Sequence, residues 1–128
     1  MTLDSSPLIA ILFGEYGHLD LIDRILAADQ VRIGTPTVVE TSMVLAGRRR
    51  TKAVGEVEAL LRELGVTIVP FGEPEWHAAV AAFLRFGRRR HAAALNFGDC
   101  LAYGAAAAAH DSLLFVGDDF RQTDITPA

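Results

Sequence analysis

Four segments of the sequence carry carboxylates beside short apolar stretches or inside apolar helical patterns, where neutral residues would otherwise be expected. They are Leu3-Asp4-Ser5-Ser6, Val38-Val39-Glu40-Thr41, Phe97-Gly98-Asp99-Cys100-Leu101 and Val116-Gly117-Asp118-Asp119-Phe120. Carboxylates brought within a few ångströms of one another repel and are costly to desolvate, so a cluster of them is expected to bind a divalent cation. Hard oxygen ligands of this kind suit Mg²⁺ or Mn²⁺.

A cation held by such carboxylates has a specific use in phosphodiester chemistry. It could activate a water molecule, orient it in line with the phosphorus and stabilise the charge on the leaving oxygen. The four acids together therefore indicate a metal-dependent nuclease. The sequence leaves open whether one ion binds or two ions about 3.5–4 Å apart.

Each acid also has a purely structural explanation. Asp4 could cap the first helix, although Ser6 already supplies a capping residue there, and Glu40 could face solvent. Asp99 follows Asn96 by three residues, a spacing typical of a capping box. The Asp118-Asp119 pair lies in a turn sequence in which aspartate is common for its own hydrogen bonds, so one of the two is expected to be structural. The four segments together favour a site more strongly than any one alone.

The elements that would position these acids are short strands alternating with helices. A first strand is predicted to end at residue 3, and further strands are predicted over residues 31–33, 66–69 and 113–116. Helices are predicted over residues 7–13, 19–28, 36 to about 47, 54–64, 73–86 and 97 to about 110, with Ser6, Thr35 and Asn96 as N-caps. This alternation predicts an α/β sandwich with a mainly parallel sheet. Its ligand site should lie beyond the carboxyl ends of the strands, where Asp4 and the Asp118-Asp119 pair fall.

Composition and charge restrict the class of protein. A chain of 128 residues that is 51% hydrophobic and 22% charged suits one compact domain over residues 1–128. The net charge of −4 provides no overall positive field for nucleic acid or anionic membrane, so any such attraction must be local. The single cysteine, Cys100, excludes an intramolecular disulfide framework. With neither a secretory signal nor an apolar run long enough to span a bilayer, a cytoplasmic protein is expected.

Taken in order, these segments resemble the PIN-domain family, specifically its VapC-type toxins. The resemblance spans the whole chain and is carried by residues 1–6, 37–42, 95–103 and 113–120, which read MTLDSS, TVVETS, LNFGDCLAY and LLFVGDDF. It implies a PIN-like three-layer α/β/α sandwich with a mainly parallel central sheet. It also implies a cytoplasmic, Mg²⁺- or Mn²⁺-dependent endoribonuclease that cleaves RNA phosphodiester bonds.

The resemblance also implies roles for individual residues and for partners. Asp4 and Asp99 would be the principal metal ligands, and Glu40 and an acid of the Gly-Asp-Asp-Phe turn would complete the catalytic site, with Ser6 in support. We assign the fourth role to Asp119, the acid directly before the phenylalanine, and keep Asp118 as the alternative. The implied partners are the RNA substrate, a cognate VapB-like antitoxin and a second copy of the chain in a homodimer.

Two arginine runs could supply the positive charge that an RNA substrate needs. They are Arg48-Arg49-Arg50 and Arg88-Arg89-Arg90, and both follow predicted helices. A solvated helix end, where arginine complements the helix dipole, is the alternative explanation. If the second run binds RNA, neutralising it should weaken binding and flatten the salt dependence.

Three other functions use residues of these types. An aspartyl-nucleophile phosphatase usually needs a second acid two residues after the first, a position that Ser6 occupies here. A phosphoryl-receiver domain would need an acidic pair near the start and a late lysine, whereas the pair is near the end and the only lysine is Lys52. The third is a non-catalytic RNA- or partner-binding module that uses the arginine runs while the acids only cap helices, but no helix-turn-helix, zinc or aromatic ribonucleoprotein motif supports it.

Overall fold

The computed structural model describes residues 1–49 and 53–128, which form six helices and a four-stranded sheet. In chain order the elements are β1 (Thr2–Leu3), α1 (Ser5–Phe13), α2 (His18–Ala27), β2 (Arg32–Gly34), α3 (Thr35–Arg49), α4 (Ala53–Glu63), β3 (Thr67–Val69), α5 (Glu73–Phe86), α6 (Phe97–Ala108) and β4 (Leu113–Leu114). None of the helices in these two ranges has the length and apolar character of a membrane span.

The sheet has the strand order β3-β2-β1-β4, and every pairing is parallel. Thr2 of β1 pairs with Arg32 of β2 on one side and with Leu113 of β4 on the other. Because parallel strands all point the same way, their carboxyl ends share one edge of the sheet. Asp4 follows β1 at that edge, and the Asp118-Asp119 turn follows β4.

Two apolar cores lie on opposite faces of this sheet. Leu114 belongs to the core built with α1, α2, α3 and α4, whereas its neighbour Leu113 belongs to the core built with α5 and α6. Successive side chains of a strand point to opposite faces, so the sheet separates the two cores. The predicted three-layer α/β/α sandwich with a mainly parallel sheet is confirmed.

The helices α5 and α6 pack together because residue 104 lacks a side chain. A β-carbon on Gly104 would lie 2.6 Å from the carbonyl oxygen of Glu75 and 2.9 Å from Cβ of Ala79, both on α5. Contacts this short do not occur with a real β-carbon, so the close approach depends on glycine. The approach fixes α6, the helix that carries Asp99.

The start of the first helix was predicted wrongly. The helix begins at Ser5 with Asp4 as its N-cap, rather than with Ser6 as the cap. Both residues have side chains suited to capping, but Asp4 is held in extended conformation because its N–H donates to the carbonyl of Leu114 at 3.0 Å. The pairing of β1 with β4 therefore decides where the helix starts.

Two strands are shorter than predicted, β3 by one residue and β4 by two, and β2 has the predicted length but is shifted by one residue. The prediction extended β4 to residue 116, whereas it ends at Leu114. The N–H of Val116 donates to the hydroxyl of Ser6 at 2.9 Å instead of to a neighbouring strand. The backbone is thereby diverted out of the sheet and toward the N-terminus of α1.

Candidate active site

Asp4 lies at the carboxyl end of β1 and is only 5% exposed. Its Oδ2 accepts hydrogen bonds from the N–H of Ser6 at 3.1 Å and from the hydroxyl of Ser6 at 2.5 Å. The same hydroxyl accepts from the N–H of Val116. Ser6 therefore connects Asp4 to the segment that follows β4, and the two strand ends are held together through one side chain.

Glu40 reaches this edge of the sheet from α3, and its side chain is half-buried. Its carboxylate lies directly against Gly98 of α6, where an added β-carbon would be 2.8 Å from Cδ of Glu40. The hydroxyl of Ser5, in the first turn of α1, hydrogen-bonds to the same carboxylate. Glu40 therefore sits between the N-termini of α1 and α6.

Asp99 occupies the first turn of α6 in a reciprocal capping arrangement. The N–H of Asn96 donates to Oδ2 of Asp99 at 2.7 Å, and the N–H of Asp99 donates to Oδ1 of Asn96 at 2.9 Å. The predicted capping box is thus confirmed. Since Asn96 engages one carboxylate oxygen, the cap orients the side chain and leaves its other oxygen for a ligand.

The charges of the acids act on one another. Burial, and then the charge of Asp119, raise the pKa of Asp4 against the lowering effect of the Ser6 hydrogen bonds. Burial followed by the charges of Asp4 and Asp99 raises the pKa of Glu40. Burial followed by the charges of Asp4 and Asp119 raises the pKa of Asp99. The structure thus brings four acids into one electrostatic cluster at the carboxyl edge of the sheet.

The two acids of the Gly-Asp-Asp turn differ in their surroundings. Both are exposed, but the carboxylate of Asp118 pairs with Arg121 at 2.8 Å. Asp119 instead raises the pKa of both Asp4 and Asp99 through its charge. Of the two, Asp119 is the one whose charge acts on the other acids.

The donor chemistry of the cluster fits a hard divalent cation. Asp4, Glu40 and Asp99 offer carboxylate oxygens, and their pKa values are raised by burial and by the charge of neighbouring acids, which a cation would neutralise. Among the described residues, however, no three Asp, Glu, His or Cys side chains are already close enough to form a ligand shell. Four mutually repelling carboxylates are expected to stand apart until a cation draws them together.

The arginines of the two predicted runs make different contacts. Arg48 is occupied away from the cluster, since it pairs with Glu15 at 3.6 Å and its guanidinium lies 4.9 Å from the ring centre of Phe13. Arg50 and the side chain of Arg49 lie outside the described residues.

The second run lies closer to the acids. Arg88 is exposed, and its charge lowers the pKa of Asp99. Arg89 is exposed and has a positive φ of 63°, and the guanidinium of Arg90 lies 5.2 Å from the ring centre of Phe83. Of the described arginines in these runs, Arg88 is the one whose charge acts on the cluster.

An apolar surface borders the cluster on the side of Glu40. A cavity of about 910 Å³ is lined by Val39, Met43 and Phe97 together with Glu40 and Gly98. Val39 and Met43 form the outward face of α3 and Phe97 is 80% exposed, whereas Thr37, Thr41 and Leu45 form the buried face of α3. Exposed apolar patches of this kind mark interaction surfaces.

Two residues of the site were not singled out from the sequence. Ser5 is a second hydroxyl beside Asp4, and its bond to Glu40 appears only once α1 and α3 are packed. Gly98 is a glycine in the first turn of a helix, and glycine has a low helix propensity. That unfavourable placement was the one available signal that the position serves packing against another group.

The chain is similar to known proteins over nearly its full length. The PIN domain profile matches residues 1–125. Ribonuclease VapC36 of Mycobacterium tuberculosis is 41% identical over 126 residues, which cover 98% of this chain and 91% of VapC36. Ribonuclease VapC of Mycolicibacterium smegmatis is 36% identical over 126 residues, which cover 98% of this chain and 97% of that protein.

A solved structure shares the fold. The crystal structure of Mycobacterium tuberculosis VapC20, described as a sarcin-ricin loop cleaving toxin, matches with a TM-score of 0.75 and 16% sequence identity over 99% of this chain and 97% of VapC20. The profile match and the identity to the VapC ribonucleases extend over nearly the full chain. This chain therefore belongs to the PIN-domain family, within its VapC ribonucleases.

Proposed function

We propose that this chain, as a single PIN-like domain over residues 1–128, is a cytoplasmic endoribonuclease that hydrolyses RNA phosphodiester bonds with Mg²⁺ or Mn²⁺. The observation that carries the proposal is the electrostatic cluster of Asp4, Glu40, Asp99 and Asp119 in a chain related to VapC ribonucleases. Carboxylates gathered at the carboxyl edge of a parallel sheet are explained by a bound cation better than by four separate structural roles.

Asp4 and Asp99 are the proposed principal ligands of the cation. Each is held by a hydrogen-bonded neighbour, Ser6 for Asp4 and Asn96 for Asp99, which limits the orientations of the carboxylate. Glu40 and Asp119 complete the negative surface. When bound, a divalent cation in such a site supplies a more acidic water and neutralises charge on the phosphate.

The chain's own residues would bind and orient the RNA. The N-terminus of α6 presents the positive end of a helix dipole beside Asp99, which favours an anionic phosphate. Arg88 is exposed on the same side and supplies a full positive charge. Because the net charge of the chain is −4, these local charges would have to hold the substrate backbone.

We further propose that the chain is the toxin of a VapBC-like pair, neutralised by a cognate VapB-like antitoxin, and that it forms a homodimer. The VapC names of its relatives support the antitoxin. The exposed apolar surface formed by Val39, Met43 and Phe97 supports the existence of protein partners in general, because such surfaces are rarely left uncovered.

The test compares the wild-type chain with Asp4→Asn, both free of antitoxin. RNA cleavage that requires Mg²⁺ or Mn²⁺ and is lost in Asp4→Asn, with RNA binding retained, is the expected result. Binding of RNA by both proteins without cleavage in any divalent metal would contradict the proposal and favour the non-catalytic binding module. A circular dichroism spectrum of each protein controls for folding.

A further inference from the structure

The loop that carries Asp119 is fastened at both ends. At its start, the N–H of Val116 donates to the hydroxyl of Ser6 at 2.9 Å. Beyond its end, the carboxylate of Asp124 accepts a hydrogen bond from the hydroxyl of Tyr103 at 2.5 Å and pairs with Arg85 at 2.8 Å. The contact with Ser6 belongs to the acidic cluster itself. The contacts of Asp124 use residues with no part in the site described above.

The contacts of Asp124 join the loop to α5 and α6. Tyr103 lies on α6 and is 8% exposed, and Arg85 lies on α5 with its guanidinium 4.6 Å from the ring centre of Phe86. A hydroxyl that donates to a carboxylate forms one of the stronger hydrogen bonds in proteins. Burial and the bond to Asp124 raise the pKa of Tyr103 to about 12, while the Tyr103 and Arg85 contacts lower the pKa of Asp124.

Tyr103 and Asp99 belong to the same face of the same helix. They are four residues apart on α6, and residues at this spacing are neighbours on a helix surface. The position of Tyr103 is therefore rigidly related to that of Asp99. The contact between Asp124 and Tyr103 therefore fixes the position of the loop relative to α6, the helix that carries Asp99.

Several contacts hold the chain between Asp119 and Asp124 in place. Phe120 is 2% exposed, and its ring centre lies 5.0 Å from that of Phe115. The hydroxyl of Thr123 donates to the carbonyl of Phe120 at 2.7 Å, and the N–H of Ile125 donates to the same hydroxyl at 3.3 Å. A displacement of Asp124 is therefore expected to be passed back along the loop to Asp119.

We propose that Tyr103, Asp124 and Arg85 are positioning residues that hold the Asp119 carboxylate with Asp4 and Asp99. They act through the loop and touch neither substrate nor cation. The inference rests on the proposed function, since it assigns Asp119 to a cation site. It adds a group of residues outside the acidic cluster to those that determine cation affinity.

The test measures Mn²⁺ binding by calorimetry in the absence of RNA, for the full chain and for Asp124→Asn. Asp111→Asn is the matched control. The Asp111 carboxylate likewise accepts from a hydroxyl, that of Thr2 at 3.1 Å, and pairs with a cation, Arg32 at 3.7 Å, but at the amino end of β4. Asp124→Asn is expected to weaken Mn²⁺ binding about 10-fold, the effect typical of a residue that orients a ligand, and Asp111→Asn is expected to leave it unchanged.

A second variant, Tyr103→Phe, keeps the ion pair between Asp124 and Arg85 and is expected to weaken Mn²⁺ binding in the same direction. Asp124→Glu should restore part of the affinity. Equal weakening in Asp111→Asn, or wild-type affinity in both Asp124→Asn and Tyr103→Phe, would overturn the inference alone. Absence of Mn²⁺ binding in the wild-type chain would overturn the proposed cation site, and the inference with it.

Discussion

The carboxylate of Glu40 fills the space in which a β-carbon of residue 98 would stand, with Cδ only 2.8 Å from that position. Glu40 belongs to α3 and Gly98 to the first turn of α6, so the two helices meet here through a carboxylate and a bare Cα. This contact holds Glu40 beside Asp99, the residue that follows Gly98. The glycine is therefore part of the geometry of the acidic cluster.

Replacement of Gly98 by alanine should displace Glu40 and lower the rate of RNA cleavage by about 100-fold, the effect expected of a misplacement near 1 Å. Gly55→Ala, on α4, is the control because nothing lies within 4 Å of an added β-carbon there. That control should keep full activity and be more stable by roughly 0.5–1 kcal/mol. Equal cleavage rates for the Gly98 and Gly55 variants would contradict this role for Gly98.

Glu40→Gln should stabilise the protein when metal is removed with EDTA. The Glu40 charge is half-buried and repelled by Asp4 and Asp99, and glutamine keeps an oxygen that can accept from Ser5. A gain of about 1 kcal/mol is expected, which raises the melting temperature of a domain of this size by about 4 °C.

The control for this measurement is Glu58→Gln, an exposed position in α4 that should change stability by less than about 0.5 kcal/mol. The same excess of Mn²⁺ should stabilise the wild-type chain more than Glu40→Gln, because stabilisation by a ligand that binds the folded state grows with the logarithm of its affinity. A lower melting temperature for Glu40→Gln in EDTA would show that the Glu40 charge does not destabilise the metal-free protein.

Asp119→Asn and Asp118→Asn should differ sharply although the residues are adjacent. The charge of Asp119 raises the pKa of Asp4 and that of Asp99, whereas the Asp118 carboxylate forms an ion pair with Arg121. Cleavage by Asp119→Asn is expected to fall by about 10- to 100-fold, as for removal of a residue that tunes a metal site, while Asp118→Asn keeps nearly wild-type rates. The reverse order of the two rates would transfer the fourth role to Asp118.

Arg88→Gln should weaken RNA binding more than Arg90→Gln does. Arg88 is exposed and its charge lowers the pKa of Asp99, whereas the guanidinium of Arg90 lies over the ring of Phe83. Binding measured in an Asp4→Asn background, so that RNA stays intact, should lose about one unit of salt slope for Arg88→Gln. Identical salt slopes for Arg88→Gln and its Asp4→Asn parent would exclude a phosphate contact by Arg88.

Much of the fold follows from local signals in the sequence. The helix predicted over residues 73–86 is confirmed by α5, and the alternation of strands and helices predicted the parallel sheet. The starting point of α1 did not follow, because both Asp4 and Ser6 can cap a helix and the hydrogen bond from the N–H of Asp4 to the carbonyl of Leu114 decides between them. Long-range contacts of this kind leave no mark on the local pattern.

The sequence was sufficient to predict which segments contribute to the acidic cluster. It was not sufficient to predict how their side chains are arranged. Asp4, Glu40 and Asp99 come together because β1, α3 and α6 share one edge of the sheet, as the fold class implies. The difference between Asp118 and Asp119 depends on the path of the loop after β4 and on the contact with Arg121, which spacing does not encode. The role of Gly98 depends on the distance between α3 and α6.

The central claim is that the acidic cluster makes this chain a metal-dependent ribonuclease. Its most direct test is cleavage of a mixed pool of structured and single-stranded RNA by purified protein, with Mg²⁺ or Mn²⁺ and with EDTA, for the wild-type chain and Asp99→Asn. We expect discrete cuts by the wild-type chain that disappear both with EDTA and in Asp99→Asn. Cleavage that survives in Asp99→Asn, or a folded wild-type chain that cuts no RNA with either metal, would contradict the claim.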